Sequence, residues 1–388
     1  MMTSRVLVVG AGAMGNVAAQ TAYLLAETAS VTIADINLAQ AEALAAALGN
    51  RASAVSVDIR DPGALDAAIA GHDIVLNATG PFYALGPVVL ESAIRAGVCY
   101  ADICDDWEPT LDMLALAGAA QQSGTVALIG MGASPGITNM LAVRAARELD
   151  TVDEIITGWS IDGVGDDDIA VPDSAPPSAA LVHWLQQLTG TIRVQADGKL
   201  VDGLPLQQRQ LLYPDFGDLS VWSVGHPEAV TLPRAFAGLL ASANVMVGHD
   251  GYFKMLSGIA SRVDAGALTI PDAARAVRAG FNHPIAAEAG ARPRPELFAW
   301  ASGTRDGRSH CAGAQLVAVP PGGMGGVTGV PLGLAIPFLQ QLRGRVAGVF
   351  CPEDVVEPDA FFDRMAPYCQ GHVAGRPIIY VSTEMLDG

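Results

Sequence analysis

A doubly wound parallel α/β sheet joined to a second domain of α+β type is the fold class that this 388-residue chain predicts. Three observations carry that reading. Over the first 130 residues, short apolar runs alternate with helical segments rich in Ala and Leu, the pattern of a parallel sheet covered on both faces. A glycine cluster, Gly10-Ala11-Gly12-Ala13-Met14-Gly15, separates the first apolar run from the first helical segment. After Gly136 the texture changes to Asp-Gly turns, loops and separate helices, which suits hairpins mixed with helices.

Taken in order, residues 5–10 read as a strand and 13–29 as a helix. A second strand at 31–35 leads into a helix ending at Leu48, and a third strand spans 54–58. Pro62 opens the next helix at its first position, where a missing N–H is harmless. Strands at 73–77, 98–102 and 126–129 continue the series, with helices around 87–96 and 109–122. Residues 162–177 hold Gly, Asp and Pro and read as a loop. Ala196-Asp197-Gly198-Lys199 and Arg305-Asp306-Gly307-Arg308 are Asp-Gly hairpin turns. Helices are expected at 178–188, 251–263 and 272–281, and the glycine run 321–329 leads into another. Residues 344–352 lead to a last helix around 358–365 and a closing strand at 377–381.

The length suits two domains, and an apolar fraction of 51% supplies their cores. No apolar run reaches the ~18 residues of a membrane span, and the first residues lack the pattern of a secretory signal, so a cytoplasmic location is expected. Cys99, Cys104, Cys311, Cys351 and Cys369 form no CxxC pair or zinc-like spacing and read as free thiols. His72, His283 and His310 show no metal-ligand pattern either, and no metal is expected. A net charge of −18 disfavours nucleic acid and anionic membranes and favours a cationic substrate.

The glycine cluster has a specific physical reading. Gly10 permits a tight turn, Gly12 lets the backbone approach a pyrophosphate, and Gly15 lets helix and strand pack closely. Together with Ala13 and Met14 they open a helix whose N–H groups face the phosphate. Asp35 ends the second strand twenty residues after Gly15, where a carboxylate accepts both ribose hydroxyls. These features in this order predict a Rossmann dinucleotide-binding domain. Asp35 repels a 2′-phosphate, and Ile36-Asn37-Leu38-Ala39 brings no Arg or Lys to offset it, so NAD is preferred, with NADP left open. Asp58-Ile59-Arg60 reads either as a flank of the adenine or as surface charge. Asn77-Ala78-Thr79-Gly80-Pro81 lies at the carboxyl edge of the fourth strand, where ligands of open α/β sheets bind.

With these segments in view, the chain resembles the saccharopine dehydrogenase-like superfamily. The resemblance rests on VLVVGAGAMG, VTIADINLAQAEALA, GHDIVLNATGPF, AIRAGVCYADICDD, GMGASPGITNML and GVFCPEDVVEPDAFF, in family order. The ADIN acid, SPGITNML and GVFCPEDVV are most similar to the L-lysine 6-dehydrogenase branch. The resemblance implies an NAD(P)-dependent oxidoreductase that makes or breaks a C–N bond of a small amino acid or amine. It also implies a nucleotide domain over 1–135, a substrate-binding and dimerisation domain over 136–326, and a segment 327–388 that returns to the nucleotide domain. Saccharopine reductases carry an acid before Pro-Gly where this chain has Ser134, and their second strand suits a 2′-phosphate where this chain has Asp35. Two alternatives stay open: reduction of a C=C or C=O bond on the same fold, and a non-catalytic NAD-binding protein.

Oxidising an amine to an imine needs a base for the ammonium proton. Tyr100-Ala101-Asp102-Ile103-Cys104-Asp105-Asp106 lies at the carboxyl edge of the fifth strand, with Tyr100 and Asp102 on one face. Asp102 is the first candidate and Asp105 the next; the competing reading is that these acids cap the following helix. Tyr83 reads as a residue near the nicotinamide or as a core aromatic. In the second domain His226 suits a proton shuttle or a turn, and Arg234 suits a clamp on a substrate carboxylate. Lys254 reads as a snorkelling surface lysine.

Overall fold

The computed structural model describes residues 3–162, 179–282, 285 and 293–386. The expected loop at 163–177 therefore lies outside the described residues. The chain divides into two compact units, Met1–Met140 with Ala318–Ile378, and Leu141–Val317 with Ile379–Gly388.

The first stretch runs β1 (Ser4–Val9), α1 (Ala13–Leu24), β2 (Thr28–Asp35), α2 (Leu38–Leu48), β3 (Ala52–Ser56) and α3 (Pro62–Ile69). It continues with β4 (Ile74–Asn77), α4 (Phe82–Ala96), β5 (Cys99–Asp102), α5 (Trp107–Ala115), α6 (Ala117–Ser123), β6 (Val126–Leu128) and α7 (Ile137–Ala146). Next come β7 (Thr151–Ser160), α8 (Ala179–Gln187), β8 (Ile192–Ala196), β9 (Lys199–Gly203), β10 (Gln208–Tyr213), β11 (Gly217–Val224), α9 (Glu228–Ala235) and β12 (Ala241–Val247). The rest comprises α10 (Asp250–Asp264), α11 (Ile270–Phe281), β13 (Leu297–Arg305), β14 (Arg308–Leu316), α12 (Gly323–Leu342), β15 (Gly348–Phe350), α13 (Pro352–Val355), α14 (Pro358–Met365) and β16 (Ile379–Met385).

In the first unit seven strands pair in the order β15-β6-β5-β4-β1-β2-β3, every pair parallel. The chain order reverses at β1, with β2 and β3 on one side and β4, β5 and β6 on the other. That is the topological switch point where a doubly wound sheet opens its ligand crevice. Val6, Leu7, Val8 and Val9 of the central strand are all buried, as expected of a strand covered on both faces. Asp61 caps α3 by accepting from the backbone N–H groups of Gly63 and Ala64, with Pro62 at its predicted place.

Several boundaries differ from expectation. Strand β3 ends at Ser56, so Asp58-Ile59-Arg60 belongs to the following loop and not to the strand. Helix α1 stops at Leu24, because β-branched Thr28, Val31, Thr32 and Ile33 continue as β2. Helix α4 begins at Phe82 with Pro87 inside it, so Tyr83 lies on a first helical turn. The glycine-rich run near 321–329 is mostly helix: α12 begins at Gly323 and packs on α1. Gly325, Gly329 and Gly333 recur every four residues on one face. A Cβ at Gly329 would fall 2.5 Å from the Met14 carbonyl oxygen, and one at Gly333 would fall 2.6 Å from Cβ of Thr21.

The C-terminal strand needs a second correction. β15 pairs with β6 in the first sheet, but β16 pairs antiparallel with β14 in the second. The segment that completes the nucleotide sheet therefore ends before the last strand, and residues from Ala318 onward already belong with the first unit.

In the second unit nine strands form one mixed sheet, with a main order β10-β11-β12-β7-β13-β14-β16 and β8 bridging β12 and β9. Only β7 and β12 pair in parallel among these described strands. The β8–β9 and β13–β14 hairpins turn at Asp197-Gly198 and Asp306-Gly307, all four residues at positive φ, which gives the type I′ geometry that matches strand twist. Trp222 stacks on Phe253 at 3.8 Å and Tyr252 on Phe281 at 4.5 Å, which places α10 and α11 against the sheet.

Candidate active site

The switch point is built by the turn after β1. Gly10 has φ +99°, and a Cβ there would fall 2.9 Å from Cγ2 of Thr79. A Cβ on Gly15 would sit 1.9 Å from the Gly10 carbonyl oxygen, so helix α1 approaches the turn only because both residues lack side chains. Gly12 differs: a Cβ there would meet nothing within 4 Å, and Gly12 and Ala13 are exposed. No side chain caps the N-terminus of α1. Its N–H groups and dipole thus face an open approach, the requirement for holding a pyrophosphate.

Asp35 closes this turn on the β2 side. One carboxylate oxygen accepts from the Ala11 N–H at 2.7 Å and the other from the Asn37 N–H at 2.8 Å. Each oxygen keeps a second lone pair for a ribose hydroxyl, and the side chain is half-buried. Gln40 adds a clamp from Nε2 to the Ala11 carbonyl at 2.8 Å. Ile36 is 63% exposed beside Asp35 and offers an apolar wall to an adenine. Asp58 engages Arg60 through both carboxylate oxygens at 2.9 and 2.8 Å, while Ile59 is buried. The nearest arginine in sequence after Asp35, other than Arg51, is thereby already paired. The turn, the carboxylate and the apolar wall fit a dinucleotide, which Gly10, Gly12, Ala13, Met14, Gly15 and Asp35 would hold.

On the other side of β1 the edges of β4, β5 and β6 are joined by a buried hydrogen-bonded chain. The Thr79 N–H donates to Oδ1 of Asn77 at 3.1 Å, and Nδ2 of Asn77 donates to the Tyr100 hydroxyl at 3.0 Å. Tyr100 donates in turn to Oδ2 of Asp102 at 2.9 Å, whose Oδ1 accepts from the N–H groups of Gly130 at 2.8 Å and Cys104 at 3.1 Å. Asn77, Tyr100 and Asp102 are each 0% exposed. Burial pushes Asp102 up to about 6, against the pull of its three donors and with a smaller upward contribution from Asp105. Burial likewise holds the Tyr100 hydroxyl and the Cys104 thiol neutral.

This geometry corrects the expectation that Asp102 is a general base. Its oxygens are fully buried and bonded within the sheet edge, which argues against a group that takes a proton from substrate; nor is it the N-cap of α5, where Asp106 makes no side-chain cap bond. Asp105 stands at the same edge and is half-buried. Tyr83 is 57% exposed on α4, which removes the core reading. Ala78 and Thr79 are half-buried and Gly80 exposed, so the turn after β4 borders the crevice.

Two residues escaped the sequence reading here. Asn139, in the SPGITNML segment, accepts from the Gly136 N–H at 2.7 Å and donates to Oε2 of Glu353 at 2.7 Å. It ties the loop after β6 to the segment after β15. The two are 214 positions apart, and only the paired motifs SPGITN and FCPEDV hinted at the contact.

In the second unit His226 is buried, and its ring lies 4.5 Å from Trp159. Its Nδ1 is 3.6 Å from Oε2 of fully buried Glu228, and its Nε2 lies 3.1 Å from Oε1 of Gln187. Gln187 also lies 3.1 Å from Nε2 of His183. The helical spacing of His183 and Gln187 was the available signal for this cluster. Arg234 is exposed in the last turn of α9.

Residues 6–128 match the family model of the saccharopine dehydrogenase NADP-binding domain. That stretch of the chain is similar to the nucleotide domain of saccharopine dehydrogenases. Carboxyaminopropylagmatine dehydrogenase of Synechocystis is 23% identical over 93% of this chain and 95% of its own length. A saccharopine dehydrogenase [NADP(+), L-glutamate-forming] of Saccharomyces cerevisiae is 29% identical over 40% of this chain and 31% of its own. The apo structure of the glutamate-forming saccharopine dehydrogenase from the same yeast covers 99% of this chain and 100% of its own, with 17% identity and a TM-score of 0.66. The saccharopine dehydrogenase-like fold thus spans both units, while the family model covers the nucleotide domain alone.

Proposed function

We propose that this chain is an NAD-preferring oxidoreductase that makes or breaks a C–N bond of a small amine or amino acid. The open Gly12 turn facing the Asp35 carboxylate carries the cofactor half of this reading. The names of the relatives carry the substrate half: a dehydrogenase of carboxyaminopropylagmatine and one that forms L-glutamate from saccharopine. Asp35 and the paired Asp58–Arg60 favour NAD over NADP, although the domain family is named for NADP.

A bound nicotinamide supplies the hydride acceptor or donor. The residues of the chain do the remainder. The α1 N-terminus holds the pyrophosphate, Asp35 the ribose, and the turn of Ala78, Thr79 and Gly80 borders the nicotinamide half. Asp105, at the edge of β5, takes the general-base role that Asp102 cannot fill: it holds a substrate ammonium and accepts its proton. His226 acts within its buried cluster as a positioning residue, and Arg234 and Tyr83 are the exposed groups suited to a substrate carboxylate and to the cofactor edge. The family resemblance supports a homodimer, checked by sedimentation; no helix among the described residues is long and apolar enough to cross a membrane.

Asp105→Asn tests the base. Turnover should fall about 10²–10⁴-fold with NAD affinity retained. A variant keeping half of wild-type turnover would return the role to another group.

A further inference from the structure

The hydrogen-bonded chain from Thr79 to Asp102 has a direction, and that direction assigns a task to its buried end. A backbone N–H can only donate, so the Thr79 N–H fixes the atom facing it as Oδ1 of Asn77. The amide is then oriented: Nδ2 points to Tyr100 and donates to its oxygen. Tyr100 must send its own proton onward, and Asp102 receives it. At the far end two backbone N–H groups, from Gly130 and Cys104, point at Oδ1 of Asp102. Every member is satisfied only when Oδ2 of Asp102 is an acceptor.

The other end of the chain is the cofactor turn. Thr79 and Ala78 lie against Gly10 so closely that a Cβ there would be 2.9 Å from Thr79 and 3.1 Å from the Ala78 carbonyl. Ala78 also lies 3.3 Å from where a Cβ of Gly15 would stand. The Ala78–Thr79 turn therefore borders both glycines, Thr79 against Gly10 and Ala78 against Gly10 and Gly15, on the β4 side of β1 and away from Asp35.

We propose that Asp102 is a positioning residue for the dinucleotide: as the acceptor-only end of this buried chain it holds the Asn77 amide in the one orientation that locks Thr79 against the glycine turn. The inference rests on the dinucleotide-binding reading above. Asp102→Asn keeps the size and the bonds from Gly130 and Cys104 to the remaining oxygen, but presents an N–H to Tyr100. Tyr100 then faces two donors. The conflict is relieved by turning the Asn77 amide, which puts its NH₂ against the Thr79 N–H and releases the turn.

Titration of purified full-length protein with NADH, and separately with 5′-AMP, tests this in wild type, Asp102→Asn, Tyr100→Phe and the double variant. AMP lacks the nicotinamide half that the Ala78–Thr79–Gly80 turn would border, so most of its contacts would fall on the Asp35 side, and it serves as the control. Asp102→Asn should weaken NADH about three- to tenfold, the worth of one lost hydrogen bond, and leave AMP within twofold. Tyr100→Phe cuts the chain, so adding Asp102→Asn to it should weaken NADH no further. Unchanged NADH affinity in Asp102→Asn, equal weakening of NADH and AMP, or additive losses in the double variant would each overturn the assignment. Should Asp102→Asn fail to fold, Tyr100→Phe decides, with weakened NADH and unchanged AMP expected. If wild type binds neither NADH nor NADPH, the dinucleotide reading itself is wrong, a result distinct from all of these.

Discussion

At Gly12 a methyl group would meet no atom of the described residues within 4 Å, and φ −66° with ψ −174° is open to any residue. Gly12→Ala should therefore melt within a degree or two of wild type while binding NADH roughly tenfold more weakly or worse, since the methyl group stands where the pyrophosphate approaches. A parallel fall in melting temperature would mean that Gly12 is structural. Asp35 joins both tasks in the proposed function, because its carboxylate holds the Ala11 N–H and would also hold the ribose. Asp35→Ala should weaken NAD about tenfold or more and narrow its lead over NADP; calorimetry on wild type that finds NADP the tighter ligand contradicts this. Asp102 gives a pH signature. Its folded-state pKa of about 6 lies above the ordinary 3.8, so burial makes its ionisation costlier in the fold, while above pH 6 it is the carboxylate acceptor that Tyr100 requires. The stability it contributes is full below about pH 4 and is lost as the pH rises through 6, about 3 kcal/mol in all. Tyr100 and Cys104 beside it stay neutral through this window, and the charge of Asp105 adds to the upward push. Between pH 5 and pH 8 the unfolding free energy of Asp102→Asn should gain about 1 kcal/mol on wild type; a constant difference would contradict the shift.

The helix that opens at the cofactor turn is held from behind by another helix, and glycines make the contact. Gly325, Gly329 and Gly333 bring α12 onto α1 so closely that a Cβ at Gly329 would overlap the Met14 backbone. Gly329→Ala should cost about 1–3 kcal/mol, read as a lower urea midpoint with an unchanged slope; an unaltered midpoint would show that the two helices separate freely. This contact also explains what the sequence hid. Glycine has poor helix propensity, so the run before Val330 reads as a loop until packing against α1 offsets that cost. The first-unit strands were legible because burial on both faces leaves unbroken apolar runs such as Val6–Val9, and the Asp197-Gly198 and Asp306-Gly307 turns because positive φ at both positions demands those residues. Asp102 was legible as a residue at the right edge but not as a buried one. Its donor Gly130 follows β6 and its register neighbour Asn77 ends β4, and pairing across a parallel sheet leaves no local signal. The return of β16 to the second sheet was hidden for the same reason.

The molecule carries a net charge of −18 over two units, each with its own sheet. Such a field attracts cations and repels polyanions, which agrees with the proposed amine substrate. Rising salt should therefore raise KM for a diamine more than for a zwitterionic amino acid. In the proposed function this dinucleotide turn serves C–N chemistry. Purified protein should be mixed with NAD or NADP and a panel of amines, amino acids, N-carboxyalkyl amines and matched alcohols, while the absorbance of the reduced nicotinamide is followed. We predict reduction that depends on an amine or amino acid and runs faster with NAD than with NADP. Reduction supported by the alcohols and by none of the amines would contradict it.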